Sequence, residues 1–221
     1  MSNQVEWADK QSVGSSLIDL GYRDYIAARF LLNNEFAIQG LMLASTAVEK
    51  YLKALIVFTF KGEERYHYHF DKLNKLRAIL EKNHYDVTKK FDPVFLDILE
   101  KAYKIRYYDK LKRPVKIGFF LNQFLGELDS TIHFMESNET PGLIYKQAIK
   151  MKDSKLYQNN YILNGYDKKA FMERPDKAFS IYIQTGSSSH VESNVVGRDV
   201  INNYEGKLAV YSSPFETVEY V

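Results

Sequence analysis

The chemistry of this chain concentrates between Lys101 and Lys116, KAYKIRYYDKLKRPVK. Seven of these residues are basic (Lys101, Lys104, Arg106, Lys110, Lys112, Arg113 and Lys116) and one, Asp109, is acidic. The stretch therefore carries +6, while the whole chain of 221 residues carries only +2. Tyr103, Tyr107 and Tyr108 are interleaved with the cations. Lysine and arginine attract phosphate, and tyrosine rings offer faces on which bases stack, so the composition points to a nucleotide or RNA. The plainer competing reading is a solvated helix end, where basic side chains complement the negative end of the helix dipole.

The remaining candidates are dispersed. His67 and His69 stand in Tyr66-His67-Tyr68-His69-Phe70. Two ligands do not make a metal site, and His69 reads equally well as a helix-start residue whose ring packs and hydrogen-bonds. Arg77 and His84, separated by six residues, fall at the end of an expected third helix, while His133 and His190 read as structural or exposed. The chain has no cysteine, which excludes disulfides, Cys-ligated zinc and thiol catalysis. No Gly-rich phosphate loop, GxSxG or HExxH occurs, so neither a metal nor a cofactor is expected.

These residues need a scaffold, and its centre is Phe36–Phe60, FAIQGLMLASTAVEKYLKALIVFTF. Leu41, Ala44, Val48, Leu52 and Leu55 follow helical spacing, and Glu49, Lys50 and Lys53 are the only charges. Those mid-helix charges argue against a membrane span. With no basic start and apolar run at the N-terminus, the chain is read as cytoplasmic. Glu49 and Lys53, four apart, share one helical face, and the expectation is that Glu49 meets Arg106 across the fold. Residues 1–14 read as a polar lead-in, with Gly14-Ser15-Ser16 starting a first helix that ends near Asn33-Asn34. A third helix is expected over 71–83. A fourth opens at Pro93 with Asp92 as its cap, and a fifth spans 115–135. The predicted fold is mainly α, an up-down bundle of about five helices over 15–137, followed by a small α+β appendage over 138–221. In the appendage, Ile144–Lys155 reads as a short basic helix. Ser180–Thr185 and Lys207–Ser212 alternate as strands, with turn-rich sequence between them.

Several segments in this order resemble one family. They are Ala27–Leu32 (AARFLL), Ala47–Leu55 (AVEKYLKAL), His69 ahead of Leu73 and Leu76, and Arg106-Tyr107-Tyr108-Asp109 at the end of the fourth helix. Together they look like a HEPN domain (higher eukaryotes and prokaryotes nucleotide-binding) over residues 15–137. The resemblance implies a five-helix bundle, commonly a homodimer with a cleft between protomers. Some members are ribonucleases of toxin–antitoxin and defence systems; others bind nucleotides or accompany a nucleotidyltransferase partner. The family's ribonuclease signature is an Arg, four to six residues, then a His. After Arg106 this chain reads YYDKLKRPVK, with no His. The expectation is therefore a non-catalytic nucleotide-, RNA- or partner-binding protein. Its candidate contacts are Glu49, Lys53, His69, Lys104, Arg106, Tyr107, Tyr108, Asp109, Lys110, Lys112 and Arg113. The alternatives are a metal-independent ribonuclease using Arg106 with His69 or Tyr107, and a structural interaction module.

Overall fold

A computed structural model describes residues 7–59, 73–82, 86–107, 111, 115–139, 142–174, 176–184, 190–196 and 215–219. The described residues are mainly helical. In chain order they form α1 (Trp7–Asn33), α2 (Ala37–Thr59), α3 (Leu73–Lys82), a 3-10 turn (Asp86–Lys90), α4 (Pro93–Ile105) and strand β1 (Val115–Phe120). There follow α5 (Leu121–Phe134), a π-helical turn (Met135–Glu139), α6 (Leu143–Lys150), α7 (Ser154–Tyr157) and α8 (Lys168–Met172). Strands β2 (Ala178–Gln184), β3 (His190–Val196) and β4 (Phe215–Glu219) complete the order.

The first two helices are an antiparallel pair, as the short turn between them requires. The pairing is visible in the glycines. A Cβ on Gly14 would meet the Phe58 ring at 2.5 Å, one on Gly21 would meet Tyr51 at 3.1 Å, and one on Gly40 would meet Leu32 at 2.6 Å. Gly14 is thus a mid-helix residue under the Phe58 ring, and α1 begins at Trp7 instead of after a polar lead-in. The turn passes through Glu35, whose φ of 71° lies in the left-handed region.

The fourth helix starts as its sequence dictates. Pro93 occupies the first turn, where its missing N–H costs nothing, and the Asp92 carboxylate accepts from the Val94 and Phe95 amides at 2.9 and 2.8 Å. Its buried face of Phe95, Leu96, Ile98, Leu99 and Ala102 packs into the core, and the Ser45 hydroxyl of α2 donates to the Leu99 carbonyl at 2.8 Å.

The largest departure from expectation lies at residues 115–120, which form a strand and not the first turns of the fifth helix. Val115, Ile117 and Phe119 are buried while Lys116 and Gly118 are partly exposed, which is a period of two. The sheet runs β3-β2-β1-β4, antiparallel throughout. In its register Val115 stands opposite Ile183, Ile117 opposite Ile181 and Phe119 opposite Phe179, so the buried sides of β1 and β2 coincide. Phe119 stacks obliquely on Phe179 and on Phe124 of α5, and Phe124 on Phe95 of α4, each pair with centroids 5.2 Å apart. The sheet therefore takes a central strand from within the segment read as helical bundle. Residues 190–196, read as turn-rich connection, are its strand β3. The expected strand over 207–212 lies outside the described residues.

Candidate functional site

At the site, α2 and α4 bring their charges together. Glu49 is almost buried in an apolar helix, where a lone carboxylate would be costly, and two cations satisfy it. Lys53, one turn along, donates to Glu49 Oε1 at 2.6 Å. Arg106 Nη2 approaches Glu49 Oε2 at 3.4 Å from the end of α4. The expected meeting of Glu49 with Arg106 is thus present. The carboxylate is shared unevenly, tight to Lys53 and loose to Arg106.

The local fold explains why Arg106 points there. Helix α4 ends at Ile105, and the chain tightens into three-residue turns in which the Arg106 amide donates to Tyr103 O at 3.2 Å and the Tyr107 amide to Lys104 O at 3.0 Å. The guanidinium lies over the Tyr103 ring at 4.8 Å, and Tyr103 in turn packs on Tyr107 with centroids 5.6 Å apart. Such stacking fixes the plane of the guanidinium. The side chains of Glu49 and Lys53 are 10% and 16% exposed, whereas Arg106 is 30% exposed and Tyr107 44%. The carboxylate thus sits deepest, with Arg106 and Tyr107 at the surface. Lys104 belongs to the same last turn. Lys101 is drawn back onto Asp97 of its own helix at 3.1 Å. Tyr108, Asp109, Lys110, Lys112, Arg113 and His69 lie outside the described residues, as do His67 and His84.

A second polar centre was not anticipated. Arg29 of α1, 1% exposed, forms an ion pair with Asp129 of α5 and donates a second hydrogen bond to the Gln158 carbonyl. Tyr25 donates to the same Asp129 oxygen at 2.8 Å and accepts from the Asn160 amide at 3.3 Å. Burial drives the Asp129 carboxyl above the usual range, against the opposing pull of Arg29 and Tyr25. Nearby, the Tyr51 hydroxyl donates to Glu136, whose other oxygen accepts from the Gly142 amide. Glu136 is likewise raised, mainly by burial. His133 shares a 2.7 Å hydrogen bond with the Tyr145 hydroxyl, and burial lowers its pKa. Burial also lifts Tyr22 to about 12. The signal for this centre is a charge inside an apolar stripe: Arg29 continues the buried row of Tyr22, Tyr25 and Leu32, and Asp129 sits among Leu125, Leu128 and Ile132. The arrangement ties α1, α5 and the segment after α6 together. None of its groups is among the partners of Glu49 or Arg106.

Compared with protein-family models, with curated proteins and with solved structures, the chain matches none of them. Among the described residues no group of three or more His, Asp or Glu is disposed to hold a metal ion, and no helix is long and apolar enough to cross a membrane.

Proposed function

We propose that this chain is a HEPN-like, non-catalytic protein that binds RNA, or a nucleotide of the same chemistry, at the end of α4. The observation that supports this reading is the Lys53–Glu49–Arg106 triad, which holds a partly exposed guanidinium beside the exposed ring of Tyr107. Arg106 and Lys53 provide charge for a phosphate, and Tyr107 a face for a base. In sequence, Lys104, Lys110, Lys112 and Arg113 continue the basic stretch on either side of Tyr108, and His69 precedes α3. The same resemblance implies a homodimer and a nucleotidyltransferase partner in a two-component, toxin–antitoxin-like system.

Fluorescence anisotropy with a labelled single-stranded oligoribonucleotide tests the reading. Arg106→Ala weakens binding by about tenfold or more and reduces the salt slope by roughly one, as expected for a lost phosphate contact. Tyr107→Ala weakens it with the slope unchanged. Binding that is indifferent to both substitutions and to salt would refute the proposal. Cleavage of the RNA in EDTA, above that of the Arg106→Ala protein, would replace binding with catalysis. Light scattering at several concentrations decides between one copy and two.

A further inference from the structure

The uneven sharing of Glu49 has a chemical consequence for the phosphate this site accepts. We infer that Glu49 makes the site selective for the singly charged phosphodiester of an RNA backbone over a terminal phosphate monoester. The inference rests on the proposed phosphate-binding role of Arg106.

Glu49 is ringed by Lys53 at 2.6 Å and Arg106 at 3.4 Å, so the three side chains together carry a single net positive charge. Lys53 is already committed to the carboxylate by the shorter contact. Arg106 is the more exposed cation and the more loosely held, and it is the group an incoming phosphate oxygen meets. A phosphodiester brings one negative charge, which balances the triad. A terminal phosphate brings about −1.5 to −2 near neutral pH. Its additional charge finds no further cation in the triad and lies next to the Glu49 carboxylate, which is only 10% exposed and poorly screened by solvent, so Glu49 offsets the attraction of Lys104 in the same last turn. The Tyr103 ring beneath Arg106 limits how far the guanidinium can swing away from that carboxylate. Repulsion thus acts on the dianion more than on the monoanion, and a rejected charge is an established route to specificity.

The probes are two labelled penta-uridine oligoribonucleotides that differ only in a 5′-hydroxyl or 5′-phosphate, read by anisotropy at pH 7.5 and constant salt. In the unaltered protein the 5′-phosphate brings no gain in affinity. Glu49→Gln preserves the shape of the side chain and removes its charge, and it shifts the ratio of the two affinities about tenfold toward the 5′-phosphorylated probe. Glu49→Asp keeps the charge and keeps the original ratio. Lys53→Gln, which removes a positive charge from a partly exposed position, moves the ratio the opposite way and serves as an independent test if Glu49→Gln does not fold. A ratio unmoved by the charge-changing variants, in a protein that still binds RNA through Arg106, overturns the selectivity alone. Failure of the unaltered protein to bind either probe overturns the RNA-binding reading, and the selectivity with it.

Discussion

At the scale of single residues, the two ionic centres differ in how their charges are housed. Arg106 is partly solvated, and its loss leaves Glu49 still bonded to Lys53. Arg106→Ala is therefore expected to change binding while shifting the urea midpoint little, since exposed pairs contribute about 0–1 kcal/mol. Asp129 is the opposite case. Removing it strands the Arg29 guanidinium in the core, so Asp129→Ala is expected to cost about 3–5 kcal/mol. Combining Asp129→Leu with Arg29→Met should recover much of that loss, because replacing a whole buried pair is far milder than breaking it. Urea denaturation of the single and double variants measures the difference; a double variant as unstable as Asp129→Ala would show that the contacts of Arg29 with the Gln158 carbonyl dominate. The sequence made one centre legible and hid the other. Glu49 and Lys53 announce themselves as four-apart charges in an apolar helix. Arg29 and Asp129 are 100 residues apart, and no local spacing joins them.

At the scale of elements, periodicity decided what could be read. Helix α2 and the proline start of α4 agree with expectation to within a residue, because their helical spacing is unbroken; the end of α4 does not, since the helix read as running on through Arg106–Asp109 toward Pro114 stops at Ile105. The strand β1 was masked because Phe120 and Phe124 extend the pattern of α5 backwards. The signal that distinguishes it is the alternation Val115, Ile117, Phe119 directly after Pro114, with Gly118 disfavouring helix. Close approach between α1 and α2 yields a sharp prediction. Gly40→Ala places a methyl against Leu32 Cγ and its backbone nitrogen, and the overpacking is expected to cost about 1–3 kcal/mol by thermal or urea unfolding. Between α5 and α6, His133 makes stability depend on pH. Burial lowers its folded pKa below the unfolded value, so the unfolded chain takes up the proton first. Its contribution is thus lost as pH falls below about 6.5, the unperturbed imidazole value. The raised carboxyls Asp129 and Glu136 act with the opposite sign at lower pH, because the folded state binds their protons more tightly. Comparing urea midpoints from pH 5 to 7.5 in the unaltered protein and in His133→Gln isolates the imidazole; the variant should show the weaker decline toward acid. Identical profiles would remove His133 from the account.

At the scale of the whole molecule, a cut between residues 137 and 138 would pass through shared structure. Beyond that point lie β2, which pairs with β1 along Val115–Phe120, and the Gln158 carbonyl and Asn160 side chain that complete the Arg29–Tyr25–Asp129 centre. A chain ending at residue 137 is therefore expected to lose cooperative unfolding and to aggregate, as circular dichroism melting and light scattering would reveal. A sharp, reversible transition in that fragment would show that the helices are self-sufficient. This interdependence was not legible because strand partners distant in sequence leave no local trace, whereas short turns such as the one between α1 and α2 do. The same topology imposes a schedule on the nascent chain. Val115 emerges from the ribosome well before its partner Ile183, about 70 residues later. At about 5–20 residues per second, the edge of β1 that β2 will pair waits on the order of several seconds with its backbone hydrogen-bonding groups unmatched by that strand. During that interval the strand is a ready target for holding chaperones. Slowing translation lengthens the exposure, while a silent speeding of codons between the two strands shortens it.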